Sequence, residues 1–257
     1  PQVNNAPIAF GNVHVGDSVT AQALSITNTA LDNGFGENLN ASFGSVDGTL
    51  IANGMFEGLA EQATDATSMT VAIDTSSAGN KSGTANIDFV SDPDGMNSLG
   101  QTSLGSQGVS VTGAVYRLAE ATIDNPLAFD FGNVHVGDSL SQAVSITNSA
   151  VADAFSEGLD ASFGAASDAR ILNNAGTVSV LGAGATDNSS LVVSIDTGAS
   201  GSINGTQTID FASNGAGTSG LGIPALPSQD LSVIASITET AFHPAEPGGN
   251  HPHPVGF

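Results

Sequence analysis

Phe10-Gly-Asn-Val-His-Val-Gly-Asp-Ser18 recurs letter for letter as Phe131-Gly-Asn-Val-His-Val-Gly-Asp-Ser139. Around it, Ser25-Ile-Thr-Asn28 returns as Ser145 to Asn148, and Ala41-Ser-Phe-Gly44 as Ala161 to Gly164. Ile73-Asp-Thr75 matches Ile195 to Thr197, and Ile87-Asp-Phe89 matches Ile209 to Phe211. The offset stays between 120 and 122 throughout. A constant offset with so few insertions marks a duplicated unit of about 120 residues.

Each copy carries the pattern of strands. Val13, Val15, Val19 and Ala21 alternate with polar residues across a Gly16-Asp17 turn, and Ala23, Leu24 and Ile26 precede Asn28. Met69-Thr-Val-Ala-Ile73 and Val109-Ser-Val-Thr-Gly-Ala-Val115 are two further strands. A period of two among β-branched residues, bounded by Gly, Asn and Asp, places one face in a core and the other in water. No stretch has a long apolar period of 3.6. Seven to nine short strands per copy predict an all-β fold of two tandem immunoglobulin-like β-sandwiches arranged end to end. The expected boundaries are 1–122 and 123–242 for the sandwiches and 243–257 for an extended Pro/Gly/His tail. Residues 114–131 join the copies with no Gly/Ser-rich linker, which favours a fixed, rod-like orientation.

Composition narrows the function classes. Gly is 32 of 257 residues, roughly an eighth against about 7% in ordinary chains, which suits many turns. The net charge of −22 comes from 25 acidic against 3 basic residues. Phosphate affinity rests on Lys and Arg, so nucleic acid is excluded as a partner, and so is anionic lipid through a basic patch. No apolar run of 18 residues is present, so no insertion into a membrane is expected. There is no Cys, hence no disulfide, thiolate nucleophile or Cys-ligated metal. The chain starts at Pro1 without Met, as an exported protein does after its leader is cut.

The motif Phe10 to Ser18, followed by Ser25-Ile-Thr-Asn-Thr-Ala30 and by Ala114-Val-Tyr-Arg-Leu-Ala119, resembles the choice-of-anchor D repeats of bacterial surface proteins. These are similar to the wider ASPM, SPD-2 and Hydin type of Ig-like domain. The resemblance covers residues 1 to about 242. It implies export by a bacterium, an extracellular or cell-surface location, and no catalysis. A C-terminal anchor of hydrophobic-plus-basic type is not seen. The expectation is therefore a chain that either has had its anchor removed or is held in place by assembly.

Few residues carry chemistry. His14 and His135 each lie between two valines; with the valines inward, both histidines are expected on the exposed side, beside a turn. No nucleophile–base–acid pattern accompanies them, so the protein is not expected to be an enzyme. Asp92, Asp94 and Asn97 in Ser91-Asp-Pro-Asp-Gly-Met-Asn97 resemble a calcium turn. They lack the spacing and distal Glu of an EF-hand, and the matching Ser213-Asn-Gly-Ala-Gly loop has lost the carboxylates. An ordinary Asp-Gly turn is the expected reading, and no cofactor is assigned. Lys81 is the only lysine; it is expected in an exposed loop and not in an isopeptide cross-link. Asn40, Asn80, Asn188 and Asn204 head Asn-x-Ser/Thr sequons, which permit glycosylation without predicting it.

The tail His243-Pro-Ala-Glu-Pro-Gly-Gly-Asn-His-Pro-His-Pro-Val-Gly-Phe257 cannot build a core and is expected to be extended. His243, His251 and His253 form a weak ligand set for a transition metal. Each chain ends as though another copy should follow. The expected function is therefore a structural subunit of a filament, coat or biofilm matrix, built head to tail from copies of itself. His243, Pro244, His251, His253, Val255 and Phe257 are the expected contact residues between subunits. The alternative is an adhesin that binds extracellular polysaccharide or protein through loops at the sandwich ends. The lack of Trp and the single Tyr disfavour sugar binding.

Overall fold

The computed structural model describes residues 1–96, 98–126 and 128–239. Among these there are strands, turns and bends but no helix. The fold is all-β and of immunoglobulin-like sandwich type, and the two copies repeat each other sheet for sheet.

In the first copy the main sheet runs Gly79–Asn80, Thr102–Tyr116, Gly83–Asp92, Asn38–Val46, Met55–Leu59, with Ile8–His14 added in parallel to Thr102–Tyr116. Two three-stranded sheets face it: Gln22–Ala23, Thr70–Ile73, Leu50–Asn53, and Gln2–Val3, Ile26–Thr27, Thr64–Asp65. The second copy repeats this as Ala128–His135, Ala225–Thr238, Gly201–Asn214, Gly158–Ala166, Thr177–Leu181. Its facing sheets are Ser141–Ala143, Val192–Ile195, Ile171–Asn173, and Ala121–Ile123, Ile146–Asn148, Thr186–Asp187.

The alternation in the sequence becomes alternation in burial. Ala85, Ile87 and Phe89 point inward from one strand, as do Leu231, Val233, Ala235 and Ile237 from another. Two cores result, sharing no residue. One gathers Leu24, Ile26, Met69, Ile87 and Val109; the other gathers Ile146, Leu159, Leu191, Ile209 and Leu231. Burial of aliphatic side chains stabilises each by roughly 1.5–3 kcal/mol per fully buried residue, before conformational entropy is set against it.

The repeated nonapeptide makes the strand Ile8–His14 or Ala128–His135 and then a turn. The Asp17 amide donates to the His14 carbonyl (3.1 Å) and the His14 amide to Asp17 Oδ2 (2.8 Å). Asp138 and His135 repeat both bonds at 3.1 and 2.8 Å. Gly16 at φ +83° and Gly137 at φ +90° occupy the left-handed region that the turn requires and that a Cβ would disfavour.

Two expectations need correction. Lys81 is not in an exposed loop: it is 4% exposed, its amide donates to the Gly113 carbonyl at 2.9 Å, and its Nζ donates to Ser77 Oγ at 3.1 Å. Its place in the second copy is taken by Ile203, 1% exposed. The strand Gly201–Asn214 runs through that point, whereas its counterpart is broken into Gly79–Asn80 and Gly83–Asp92. His14 is likewise not an exposed strand residue, and its environment forms the candidate site.

Candidate functional site

The site is the junction between the sandwiches. The long strand Thr102–Tyr116 leads straight into Arg117, which forms an isolated parallel bridge with Ser156 of the second sandwich. The Arg117 amide donates to the Phe155 carbonyl (2.7 Å), and the Glu157 amide donates to the Arg117 carbonyl (3.1 Å). Two residues later the Ala119 amide donates to Ser213 Oγ at 2.7 Å. The connection is thus held by the second sandwich from its first residue, with no free segment between.

Glu157 lies at the centre with no exposed surface. Its Oε2 accepts from Ser213 Oγ at 2.6 Å, and its Oε1 accepts from Ser219 Oγ. Across the junction His14 Nε2 donates to the same Oε1 at 2.9 Å. Burial works to raise the pKa of Glu157. The bonds from Ser213, Ser219 and His14, with the charge of His14, outweigh it and hold the carboxyl below its ordinary value. A buried carboxylate is tolerated only when its lone pairs are satisfied in this way.

Three further contacts surround the clamp. Asn12 Nδ2 donates to the Ser219 carbonyl at 2.7 Å. Arg117 pairs with Asp153 at 2.6 Å. The rings of Tyr116 and Phe155 are 5.6 Å apart and inclined at 49°, within the range of favourable tilted aromatic pairs. The Phe155 amide, with Arg117 beside it, holds Asp153 below the usual carboxylate range.

Serine, histidine and an acid meet here, but in the wrong order for acyl transfer. A triad needs the serine hydroxyl bonded to the imidazole. Both hydroxyls instead donate to the carboxylate. The arrangement can fix two sandwiches together; it does not activate a nucleophile.

His135 occupies the place of His14 in the second copy and is 61% exposed at its side chain, against 17% for His14. The expected exposure therefore holds for His135 and fails for His14, because among the described residues a second sandwich is stacked on His14 and none on His135. Glu157 was not singled out by the sequence, although Phe35-Gly-Glu37 and Phe155-Ser-Glu157 repeat at the standard offset.

Asp92 and Asp94 are engaged by the protein itself. Asp92 Oδ2 accepts from Asn40 Nδ2 (2.9 Å) and Gln101 Nε2 (2.7 Å), and its Oδ1 accepts from the Asp94 amide (3.0 Å). The Asp94 amide, then Asn40 and Gln101, lower the Asp92 pKa. In the second copy the pair is kept with the roles exchanged, Asn214 Nδ2 donating to Asp160 Oδ2 at 2.7 Å. A pair that survives such an exchange is structural, so Asp92 serves the loop. Asn97 lies outside the described residues, as do His243, Pro244, His251, His253, Val255 and Phe257.

No protein-family model matches the chain, and no curated protein matches its sequence. The resemblance to choice-of-anchor D repeats therefore rests on its motifs alone. Among solved structures the chain is similar to a protein of unknown function from Porphyromonas gingivalis. The identity is 13% over 91% of this chain and 98% of that one, with a TM-score of 0.33. It is also similar to the PapD-like domain 7 of human CEP192, at 8% identity over 48% of this chain and 88% of that one, TM-score 0.34. An I-band fragment of titin aligns at 8% identity over 91% of this chain and 65% of that one, TM-score 0.33. Likenesses this distant carry no argument about function, which has to be read from the junction itself.

Proposed function

We propose that the chain is a non-catalytic structural subunit of the bacterial extracellular space or cell surface, assembling head to tail into a filament, coat or biofilm matrix. The observation that carries this reading is the junction. It fixes one sandwich on the next through a backbone bridge, a buried carboxylate clamp and an aromatic pair. A stiff joint between repeated units suits a load-bearing rod. A module that needs only to present loops has no use for it.

The cations support the same reading. The chain has three: Arg117 is paired with Asp153, Arg170 with Asp168, and Lys81 is buried. None is left as a free positive patch for an anionic partner. The surface that remains is strongly acidic, so copies of this chain associate once salt screens their repulsion. The tail, through the residues named above, adds a further contact between subunits.

The test is negative-stain electron microscopy of purified chain over a concentration series at moderate salt, which screens the repulsion between subunits of charge −22. Filaments or sheets that lengthen with concentration are expected. Dispersed two-lobed particles at every concentration and salt would overturn the reading.

A further inference from the structure

We infer that the junction inside the chain is the template for the joint between chains: the His135 end of one copy docks on the Phe35–Glu37 end of a second copy. This rests on the head-to-tail reading above and specifies its contact.

Both halves of the clamp recur among the described residues, one in each sandwich, away from the junction. His135 is held by Asp138 as His14 is by Asp17, at the same 2.8 Å. It pairs in parallel with Thr238 as His14 pairs with Tyr116. Its ring is therefore presented as the His14 ring is, but to solvent. At the other end Glu37 stands where Glu157 stands in the second copy. Ser91 Oγ donates to Glu37 Oε2 at 2.6 Å, the counterpart of the Ser213 bond at 2.6 Å. Asn28 Nδ2 donates to the Glu37 carbonyl at 3.0 Å, the counterpart of the Asn148 bond at 3.0 Å. The Glu37 carboxylate is thus held by the counterpart of Ser213, and its backbone carbonyl by the counterpart of Asn148.

Beside it Phe35, the counterpart of Phe155, is 88% exposed. With Leu31 at 73% exposed in the same loop, it offers apolar surface that a second copy would cover.

The rim of the joint has changed on both sides together. Glu239 stands at the position of Arg117, and Asn33 at that of Asp153. Asn33 Oδ1 accepts from the Phe35 amide (3.1 Å) as Asp153 Oδ1 does from Phe155 (2.9 Å). Glu239 facing an aspartate would repel; facing Asn33 it finds a neutral donor. Loss of the cation is matched by loss of the anion it would have met, as expected of residues that touch. Thr238 in place of Tyr116 forfeits the ring pair, and Asp32 in place of Ala152 adds negative charge. The joint between chains is thus weaker than the one within, and needs salt.

The chain has no cysteine, so a pair can be placed where Arg117 and Asp153 touch in the template. Oxidising Asn33→Cys/Glu239→Cys at moderate salt should give a ladder of covalent dimers, trimers and higher species. Either single cysteine should give dimers at most. Phe35→Ala and His135→Ala, both at exposed positions, should raise the concentration needed for assembly about tenfold, equivalent to about 1.4 kcal/mol. Filaments in the microscope without a ladder, and unmoved by Phe35→Ala, would overturn the joint while sparing the head-to-tail reading. Particles that never associate would overturn both.

Discussion

His14 Nε2 of the first sandwich lies 2.9 Å from Glu157 Oε1 of the second, across 143 residues of sequence, and the carboxylate it reaches has no exposed surface. Removing the imidazole leaves that carboxylate with its two serines only. A hydrogen bond to a charged, buried group contributes about 1.5–3 kcal/mol. His14→Ala should therefore open the junction without unfolding either core. Trypsin reads this directly. Its sites are Lys81, Arg117 and Arg170, and the backbone of Arg117 is tied to Phe155 and Glu157. Cleavage after Arg117 should accelerate about tenfold or more in His14→Ala, since proteolysis tracks the open population. An unchanged rate would show that the imidazole bond does not hold the joint.

Acid should open the same joint. Glu157 is depressed below its ordinary value despite burial, and Asp153 is depressed by the Phe155 amide and Arg117. A group whose pKa is lower in the folded state contributes stability that is complete above its unfolded value, about 4.3 for Glu and about 3.9 for Asp. That stability is lost as pH falls through the folded values. The chain has one tyrosine and no tryptophan, and Tyr116 sits against Phe155. Tyrosine near-ultraviolet circular dichroism therefore reports on the junction and the strand end that enters it. It should collapse below about pH 4, and Glu157→Gln should remove the Glu157 share of that dependence. A signal flat down to global unfolding would contradict the clamp.

The sandwich was legible because its cause is local and repeated. Ala85, Ile87 and Phe89, and Val109 and Val111, alternate with polar residues in the sequence as they alternate in burial. The junction was not, because identical letters lie in unlike surroundings. His14 and His135 belong to the same nonapeptide, yet one is covered and the other is 61% exposed. What differs is the sandwich stacked on the first, a relationship no window of sequence contains. Lys81 departs from its local sequence for a different reason. Its Gly and Asn neighbours suggest a loop, whereas its match with Ile203 marked an inward position.

That match leads to a prediction about stability. The two copies each place one cation near the same carboxylate, by different routes. The first has Thr49 and Lys81, the second Arg170 and Ile203, and the carboxylates are Asp74 and Asp196, each feeling its own cation. Lys81 buries an ammonium whose partner Ser77 is exposed, so Lys81→Ile strands no buried acceptor there. A buried ammonium carries a desolvation cost that an aliphatic side chain does not. Lys81→Ile should raise the unfolding midpoint by about 3 °C. A fall of that size would mean that the ammonium is needed where it is.

A second exchange between copies lies at the edge strand of each main sheet. Val180 has φ +50° where its counterpart Gly58 has φ +73°. Both sit in a break of register opposite the same neighbour strand, between Leu159 and Ala161 in one copy and Leu39 and Ala41 in the other. The amide of each is fixed by an acceptor across the strand, Asp160 Oδ1 or Asn40 Oδ1, at 2.7 Å. A left-handed conformation costs a β-branched residue about 1–2 kcal/mol and glycine little. Val180 is also 42% exposed, so its removal forfeits little burial. Val180→Gly should therefore stabilise the second sandwich by about 1 kcal/mol in chemical denaturation, less what glycine returns to the unfolded chain. The neighbouring position carries the compensation. A Cβ on Gly158 would come within 2.7 Å of Val180 Cγ1, whereas the first copy has Asn38 beside Gly58. Gly158→Ala should thus be destabilising alone and nearly neutral with Val180→Gly, a coupling of about 1 kcal/mol in a double-mutant cycle. Additive effects would mean that the valine is not strained by its neighbour, and that the two glycines arose independently.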